Sequence, residues 1–370
     1  MKKIFLYFYI LLFLLTPVFV LAQNSDEIFK AEVIEILQEK EIISEDNLKT
    51  FQQNIKLKGL EGEWQNQEII FQGIDDYQVI KDNRYQVGDT VLVAYSPGPV
   101  GEANYYITDY VRYQGLYWLA LIFIILVILI AKWKGLRALV GLLASFLIIM
   151  KIIVPQILNG TSPLLISIFG SVLILLLVIY LTEGLNKKSH LAILSVFFCL
   201  LIVGVMSVIF TNLLKLTGLA QEEAMFLIGF GKSMINFKGL LLAGIIIGTL
   251  GVLDDAVISQ ISSVEQIQKA NTNLSRVEVY KKSMQIGIAH MSSMINTLFL
   301  VYAGASLPLL LLFTINEPPF LSFNQIINNE VITIEIVRAI AGSIGLVLSI
   351  PIATFLASQF LKKTTSKTAH

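Results

Sequence analysis

The chain has 370 residues, of which 55% are hydrophobic and 15% charged, and its formal net charge at pH 7 is zero. This composition is typical of a protein that crosses a membrane several times, and it argues against a soluble globular protein. The zero net charge gives no electrostatic basis for binding nucleic acid. Because Cys199 is the single cysteine, an internal disulfide and a cysteine-built metal site are excluded.

Residues 1–22 have the three parts of a secretory signal: two lysines, an apolar run from Ile4, and the small-residue sequence Val20-Leu21-Ala22 before Gln23. The apolar run is also long enough to remain as an uncleaved anchor. We favour cleavage and keep the anchor as the alternative. Both place the following segment outside the cytoplasm.

Residues 23–114 are polar and contain short alternating runs bounded by turn residues such as Gly88-Asp89 and Ser96-Pro97-Gly98-Pro99. The pattern predicts strands at 29–37, 67–71, 90–95 and 104–111. We therefore predict an extracytoplasmic barrel or sandwich of about five strands. Its sequence shows no metal cluster, nucleophile arrangement or phosphate loop, which favours a spacer or docking module.

Residues 115–361 consist of apolar stretches with short connections, and we predict an α-helical membrane bundle. The seven predicted spans are 116–133, 136–158, 163–182, 190–214, 238–262, 284–313 and 335–361. Lysine and arginine are concentrated in alternate connections and in the tail at 362–370, which the positive-inside rule assigns to the cytoplasm. We therefore expect a bacterial cell membrane protein with its β-domain outside and its C-terminus inside.

Two connections are expected to be structured. The segment 217–232 is partly apolar and carries Glu222 and Glu223, so we predict that it lies in the membrane interface or re-enters the membrane. The segment 318–330 is predicted to form a helix on the outer surface.

Two adjacent acids, Asp254 and Asp255, lie inside the apolar run of the fifth predicted span. Ionisable residues at membrane depth are costly and mark functional sites by default. Helical spacing puts Asp255 on one stripe with small residues, which predicts packing against a neighbouring helix. Those residues are Gly244, Gly248, Gly251, Ser259 and Ser262. Two interpretations remain: the acids bind a proton or cation, or they are protonated or hydrogen-bonded and only hold helices together.

His290 and Asn296 lie in the sixth predicted span, at a depth similar to that of the two acids. His290 shares a small, polar face with Ser283, Gly287, Ser293 and Thr297. We predict a contact between His290 and Asp254 or Asp255. The alternative is a histidine that is hydrogen-bonded only for packing.

Glu335 and Arg338 begin the seventh predicted span and are three residues apart, so we expect them to pair with each other. They are secondary candidates for an ion pathway, together with Glu222 and Glu223. No catalytic residue, metal ligand or cofactor is expected. An aspartyl protease would need acids on two different spans, and a zinc protease would need an HExxH segment, which is absent from the sequence.

Several segments from the fourth span onward resemble the YibE/YibF-like family of bacterial multi-pass membrane proteins. They are LTGLAQEEA (216–224), GTLGVLDDAVISQISSV (248–264), NTLFLVYAGASLPLLLLF (296–313) and EIVRAIAGSIGLVLSIPIAT (335–354). The exported N-terminal domain resembles the YibE type. Shorter YibF-type relatives lack this domain, which implies a hetero-oligomer of the two types as a partner arrangement.

The resemblance implies a membrane permease. The sequence departs from the family pattern at Ile288-Ala289, where the family pattern has a charged pair before His290. The segment GVLDDAVISQISSVEQI (251–267) is also similar to a proton-relay helix of resistance-nodulation-division exporters. Our leading hypothesis is a transport-associated protein in which Asp254 and Asp255 exchange a proton or cation, with His290 and Asn296 as neighbours. The alternative is a non-transporting assembly factor that docks a partner through its exported β-domain.

Overall fold

The computed structural model describes residues 27–43, 49–74, 79–80, 84–97, 103–229, 235–315, 317–318 and 320–361. The predicted signal or anchor at 1–22 and the basic tail at 362–370 lie outside these ranges. The described chain divides into two compact units, of which one ends at Leu129 and the other begins at Ile130.

The first unit contains one antiparallel sheet. Its strands are β1 (Glu27–Ile43), β2 (Lys49–Gly59), β3 (Glu68–Gln72), β4 (Val79–Ile80), β5 (Thr90–Pro97) and β6 (Ala103–Tyr110). The strand order is β3-β2-β1-β5-β6, and the short β4 pairs with β2 beyond the end of β3. Bulges in the β1–β2 and β5–β6 ladders bend the sheet. The outer strands β3 and β6 approach each other, so the sheet curls into a half-barrel.

Alternation between buried and exposed residues builds the core of this half-barrel. In β2, Ile55 and Leu57 are fully buried, and they meet Val33 of β1 and Val91 of β5 in the same cluster. The prediction of a small β-domain is therefore confirmed. The prediction missed β2 because its sequence, KTFQQNIKLKG, places polar residues where a buried strand normally has apolar ones.

Gln53 shows how a polar residue is accommodated in β2. Its side chain is buried, and its Nε2 donates to Glu39 Oε2 at 2.9 Å and to the Tyr85 carbonyl at 3.1 Å. Its Oε1 accepts from the Tyr85 backbone N–H at 3.0 Å. Gln53 thus holds the segment before β5 by pairing both backbone groups of Tyr85.

We expect Gln53→Ala to destabilise the β unit by about 1–3 kcal/mol, because buried groups of Tyr85 lose their partner. Hydrogen exchange followed by mass spectrometry on the full-length protein in detergent should show faster exchange in β2 and around Tyr85. Gln65→Ala, at an exposed position of the same unit, is the matched control. Equal exchange in both variants would contradict the assigned role of Gln53.

The second unit is helical, and the helix that leads into it begins in the first. The helices are α1 (Tyr113–Ile148), α2 (Val154–Leu158), α3 (Pro163–Thr182), α4 (Lys187–Leu213), α5 (Glu222–Gly229), α6 (Phe237–Ala270), α7 (Arg276–Ala305), α8 (Leu307–Ile315), α9 (Phe323–Asn328) and α10 (Glu330–Phe360). A π-helical segment, Ile149–Ile153, joins α1 to α2. The predicted helical bundle is confirmed.

Six helices within the described residues are long and apolar enough to cross a membrane. The first, Tyr113–Leu158, has 46 residues, more than twice the roughly 20 that one membrane crossing needs. Its backbone leaves helical geometry at Lys132, where φ is 49° and ψ is −126°. This break lies at the end of the first predicted span, so the two predicted spans correspond to two helical stretches that join at Lys132.

The predicted span 284–313 was wrong at both ends. The helix α7 begins earlier, at Arg276, where Ser275 and Glu278 form a capping box. It ends at Ala305, and α8 begins at Leu307. Pro308 explains this break because it has no backbone N–H to donate to the preceding turn. The predicted surface helix in 318–330 corresponds to α9.

The helix α6 lies at the centre of the bundle and packs against α3, α4, α7 and α10. On α10, a side chain at Gly345 would lie 2.6 Å from Val203 of α4 and 3.1 Å from Thr249 of α6. The three helices therefore approach so closely at this point that only glycine fits. This packing fixes which face of α6 is buried and which remains open.

Candidate functional site

Asp254 lies near the middle of α6 and is half-buried. One and two turns further along the same face, Ile258 and Ile261 line a small cavity with Glu183, the residue that follows α3, and Lys188 of α4. Asp254 therefore lies on the side of α6 that faces α3 and α4. Its Oδ1 is buried and has no hydrogen-bond partner within the described residues.

Asp255 lies on a different face of α6 and is exposed. Gly244, Gly251 and Ser259 of the predicted stripe are exposed too, and a Cβ added at Gly244 or Gly251 would have no neighbour within 4 Å. By contrast, Gly248 approaches Tyr302 of α7, and Ser262 is half-buried. The prediction that this stripe packs against another helix is therefore wrong within this chain for Gly244, Gly251 and Asp255. The larger residues on the opposite face, such as Ile245 and Leu253, occupy the core, because they bury more apolar surface.

The predicted contact between His290 and the two acids is not made as a hydrogen bond or an ion pair. His290 is exposed on α7, and no hydrogen bond or ion pair joins it to Asp254 or Asp255, all three of which belong to the described chain. The buried face of α7 instead carries Ser283 and Gly287. The helix therefore turns its small residues inward and leaves His290 on the outside.

Asp255 and His290 lie at a similar depth along their helices, as the sequence predicts. Gln260 contacts Ser283, and a Cβ at Gly248 would lie 3.1 Å from Tyr302 Oη, which fixes the antiparallel register of α6 and α7. In this register Asp255 lies level with His290 to within about one turn. Exposed polar or small residues thus run along both helices at the same depth. We call these the open polar stripes: Gly244, Gly248, Gly251, Asp255 and Ser259 on α6, and His290, Ser293, Asn296 and Thr297 on α7.

A buried amide joins three helices one to two turns from the acids. Gln260 of α6 donates through Nε2 to the Ser283 carbonyl of α7 at 3.0 Å and to Thr354 Oγ1 of α10 at 2.6 Å. A side chain at Gly287 would lie 2.7 Å from Gln260 Oε1. Sequence analysis missed this site, although a glutamine within an apolar run is a recognisable signal.

Glu330, the first residue of α10, holds the segment that follows α4. Its Oε1 accepts from the backbone N–H groups of Thr217 at 2.6 Å and Gly218 at 3.0 Å, and Thr217 Oγ1 donates to it at 2.8 Å. Gly218 has φ of +77°, and a Cβ there would overlap the Phe237 carbonyl. The LTG part of the motif at 216–224 is thus a carboxylate-binding turn, which sequence analysis did not anticipate.

The secondary candidates for an ion pathway lie on two different helices, α10 and α5. Arg338 donates to Glu335 Oε1 at 2.8 Å, as predicted for neighbours on one helix. Glu222 begins α5, and Glu223 is exposed on it. The described residues contain no group of three or more histidine, cysteine, aspartate or glutamate side chains able to hold a metal ion.

The family model for YibE/F-like proteins matches residues 119–363. The chain belongs to the YibE/F-like family. The match covers the helical part of this YibE/F-like protein and begins after the last strand of the sheet, which ends at Tyr110. Neither a search of curated proteins nor a search of solved structures found a match.

The carboxylate-binding turn gives a testable expectation for this YibE/F-like protein. We expect Glu330→Ala to destabilise the fold by about 1–3 kcal/mol, because backbone N–H groups of Thr217 and Gly218 lose their acceptor. The thermal unfolding midpoint in detergent should fall, and proteolysis between α4 and α6 should become faster. Glu317→Ala, at an exposed glutamate in the connection before α9, is the control. Unchanged midpoints in both variants would contradict this role.

Proposed function

We propose that this YibE/F-like protein is a permease or transport-associated protein of the bacterial cell membrane. In this proposal Asp254 and Asp255 exchange a proton or cation. The observation that supports it is the buried, unpartnered Oδ1 of Asp254 in the central helix of the bundle. A carboxylate with no donor in an apolar bundle is stabilised when it binds a proton or a small cation.

The arrangement of the two acids supports exchange between two environments. Asp254 lies toward α3 and α4, whereas Asp255 lies on the open side of α6, about 100° around the helix. A proton or cation could pass between neighbouring carboxylates without a large movement of the backbone. His290 lies level with Asp255 on the adjacent helix, and Asn296 follows it on the same open stripe.

We expect Asp254→Asn to abolish proton movement, because the amide keeps the size of the side chain but does not take up a proton at neutral pH. The measurement is a pH jump applied to proteoliposomes that contain a lumenal pH dye. Asp255→Asn should reduce the rate or abolish it. Asp109→Asn, in the β unit, is the matched control and should move protons like the wild type.

Folding and insertion of each variant are checked first by its thermal unfolding midpoint and by its elution as one species. A folded Asp254→Asn protein that moves protons at the wild-type rate would overturn the exchange proposal. Replacing the proton gradient with a sodium gradient in the same vesicles distinguishes the two ions.

A partner subunit that covers the open polar stripes is a second part of the proposal. Asp255, His290 and Asn296 are exposed at depths where lipid tails offer no hydrogen bonds. Glycines on the α6 stripe allow another helix to approach closely. A shorter relative without the β-domain, as the family resemblance implies, would supply such a helix.

We expect Gly251→Cys, labelled with a thiol-reactive photo-cross-linker, to cross-link to this partner in illuminated native membranes, because the stripe would face the partner helix. Val205→Cys, on an exposed apolar position of α4, is the control and should give no specific product. The native Cys199 is buried and stays in both variants. Mass spectrometry of the product identifies the partner. Equal yields at both positions would contradict an interface at the α6 stripe.

The docking alternative is supported by the separate core of the β unit, in which Phe29, Trp64 and Tyr105 form an aromatic cluster. Under this alternative, deletion of residues 23–114 abolishes function and Asp254→Asn leaves it intact. Under the exchange proposal, Asp254→Asn is the damaging change. Each variant is expressed in a strain that lacks the gene for this protein. Whether the variant restores growth or export in that strain decides between the exchange proposal and the docking alternative.

A further inference from the structure

An apolar groove runs along one side of α10, between it and the helices α7 and α8. It consists of two adjoining cavities of about 120 Å³ and 390 Å³, which share Phe299, Ile336 and Ala339 as lining residues. The larger cavity continues along α10 past Ile340 and Ile344 to Val347 and Leu348. The walls are almost entirely apolar, so water is a poor occupant.

The lining of the smaller cavity includes polar groups. Tyr302 and Ser306 contribute from the α7–α8 side and Glu335 from α10. The Oε1 of Glu335 accepts from Arg338, whereas its Oε2 accepts no hydrogen bond from the described residues. The part of the groove near the start of α10 therefore offers a carboxylate oxygen that can accept from a ligand, and the rest is lined mainly by apolar side chains.

The groove is long enough for an acyl chain to cross one leaflet of a bilayer. From Glu335 to Leu348 the helix rises about 20 Å, and half of the hydrocarbon core is about 15 Å thick. Glu335 lies five residues after the start of α10, about 8 Å along the helix. The polar end thus lies near the membrane surface, where lipid head groups are found.

We propose that this groove binds a phospholipid with a primary ammonium head group, whose acyl chain lies along α10 and whose ammonium donates to Glu335 Oε2. An ammonium has three donors and complements the negative charge of the carboxylate. A choline head group has no N–H to donate, and the hydroxyl groups of a glycerol head group are uncharged donors, whose hydrogen bonds to a carboxylate are weaker than those of an ammonium. The groove therefore selects among lipids that carry the same acyl chains.

The test measures lipid-dependent stability of the full-length protein. Purified protein in detergent is mixed with phosphatidylethanolamine, phosphatidylcholine or phosphatidylglycerol of identical acyl chains, and the thermal unfolding midpoint is followed with increasing lipid. We expect phosphatidylethanolamine to act at roughly tenfold lower concentration than the other two, because one hydrogen bond to a charged group is gained. Native mass spectrometry should show the same preference among retained lipids.

Two variants separate the groove from general lipid effects. Ala339→Phe fills the part of the groove that both cavities share and should remove the preference while leaving the Glu335–Arg338 pair in place. Ala289→Phe, at an exposed position on α7 outside the groove, is the matched control and should keep the preference for phosphatidylethanolamine. Glu335→Gln should equalise phosphatidylethanolamine and phosphatidylcholine.

If Glu335→Gln does not fold, the Ala339→Phe and Ala289→Phe pair decides alone. Equal midpoints for the three lipids with the wild type would overturn the proposal, and so would a full preference in folded Ala339→Phe. Because the groove does not include Asp254 or Asp255, these results are independent of the proton-exchange assay.

Discussion

The amide of Gln260 is the interaction on which the arrangement of the bundle depends. Apolar side chains drive little association between helices inside a membrane, because lipid tails are equally apolar. A buried amide that donates to Ser283 and Thr354 therefore specifies which faces of α6, α7 and α10 meet. Gly287 has to be small so that α7 can approach this amide. Once these faces are paired, Asp254 is turned toward α3 and α4, and Asp255 and His290 are left on the open side.

This orientation changes the mechanism that the sequence suggested. A direct relay from Asp255 to His290 within one chain needs a hydrogen bond, and no hydrogen bond joins these two described residues. Asp254 instead combines partial burial with an unpartnered oxygen, which makes it the stronger candidate for binding a proton or cation. His290 keeps a place in the proposal only on the open stripes, where a partner subunit would create the polar surroundings that lipid does not supply.

The spans near residues 163–182 and 190–214 could be predicted closely because a long apolar run between polar turns has one physical solution in a membrane. The faces of the helices were harder to predict. Small residues on α6 and α7 give the same helical periodicity whether they pack within the chain, as Gly287 does, or face outward, as Gly251 does. The role of Glu330 could not be predicted because its partners, Thr217 and Gly218, are distant in sequence and contribute backbone groups. Pro308 could have marked the end of α7, but apolar residues on both sides concealed it.

Three carboxylates in the bundle show how partners decide what an acid can do. Glu330 is held by two backbone N–H groups and a hydroxyl, so its charge is used to fix a turn. Glu335 is balanced by Arg338 through one oxygen and keeps the other for a ligand at the end of the apolar groove. Asp254 has a buried oxygen with no donor among the described residues. Because a proton or cation would be the first favourable partner of that oxygen, exchange chemistry belongs at Asp254 rather than at the other two.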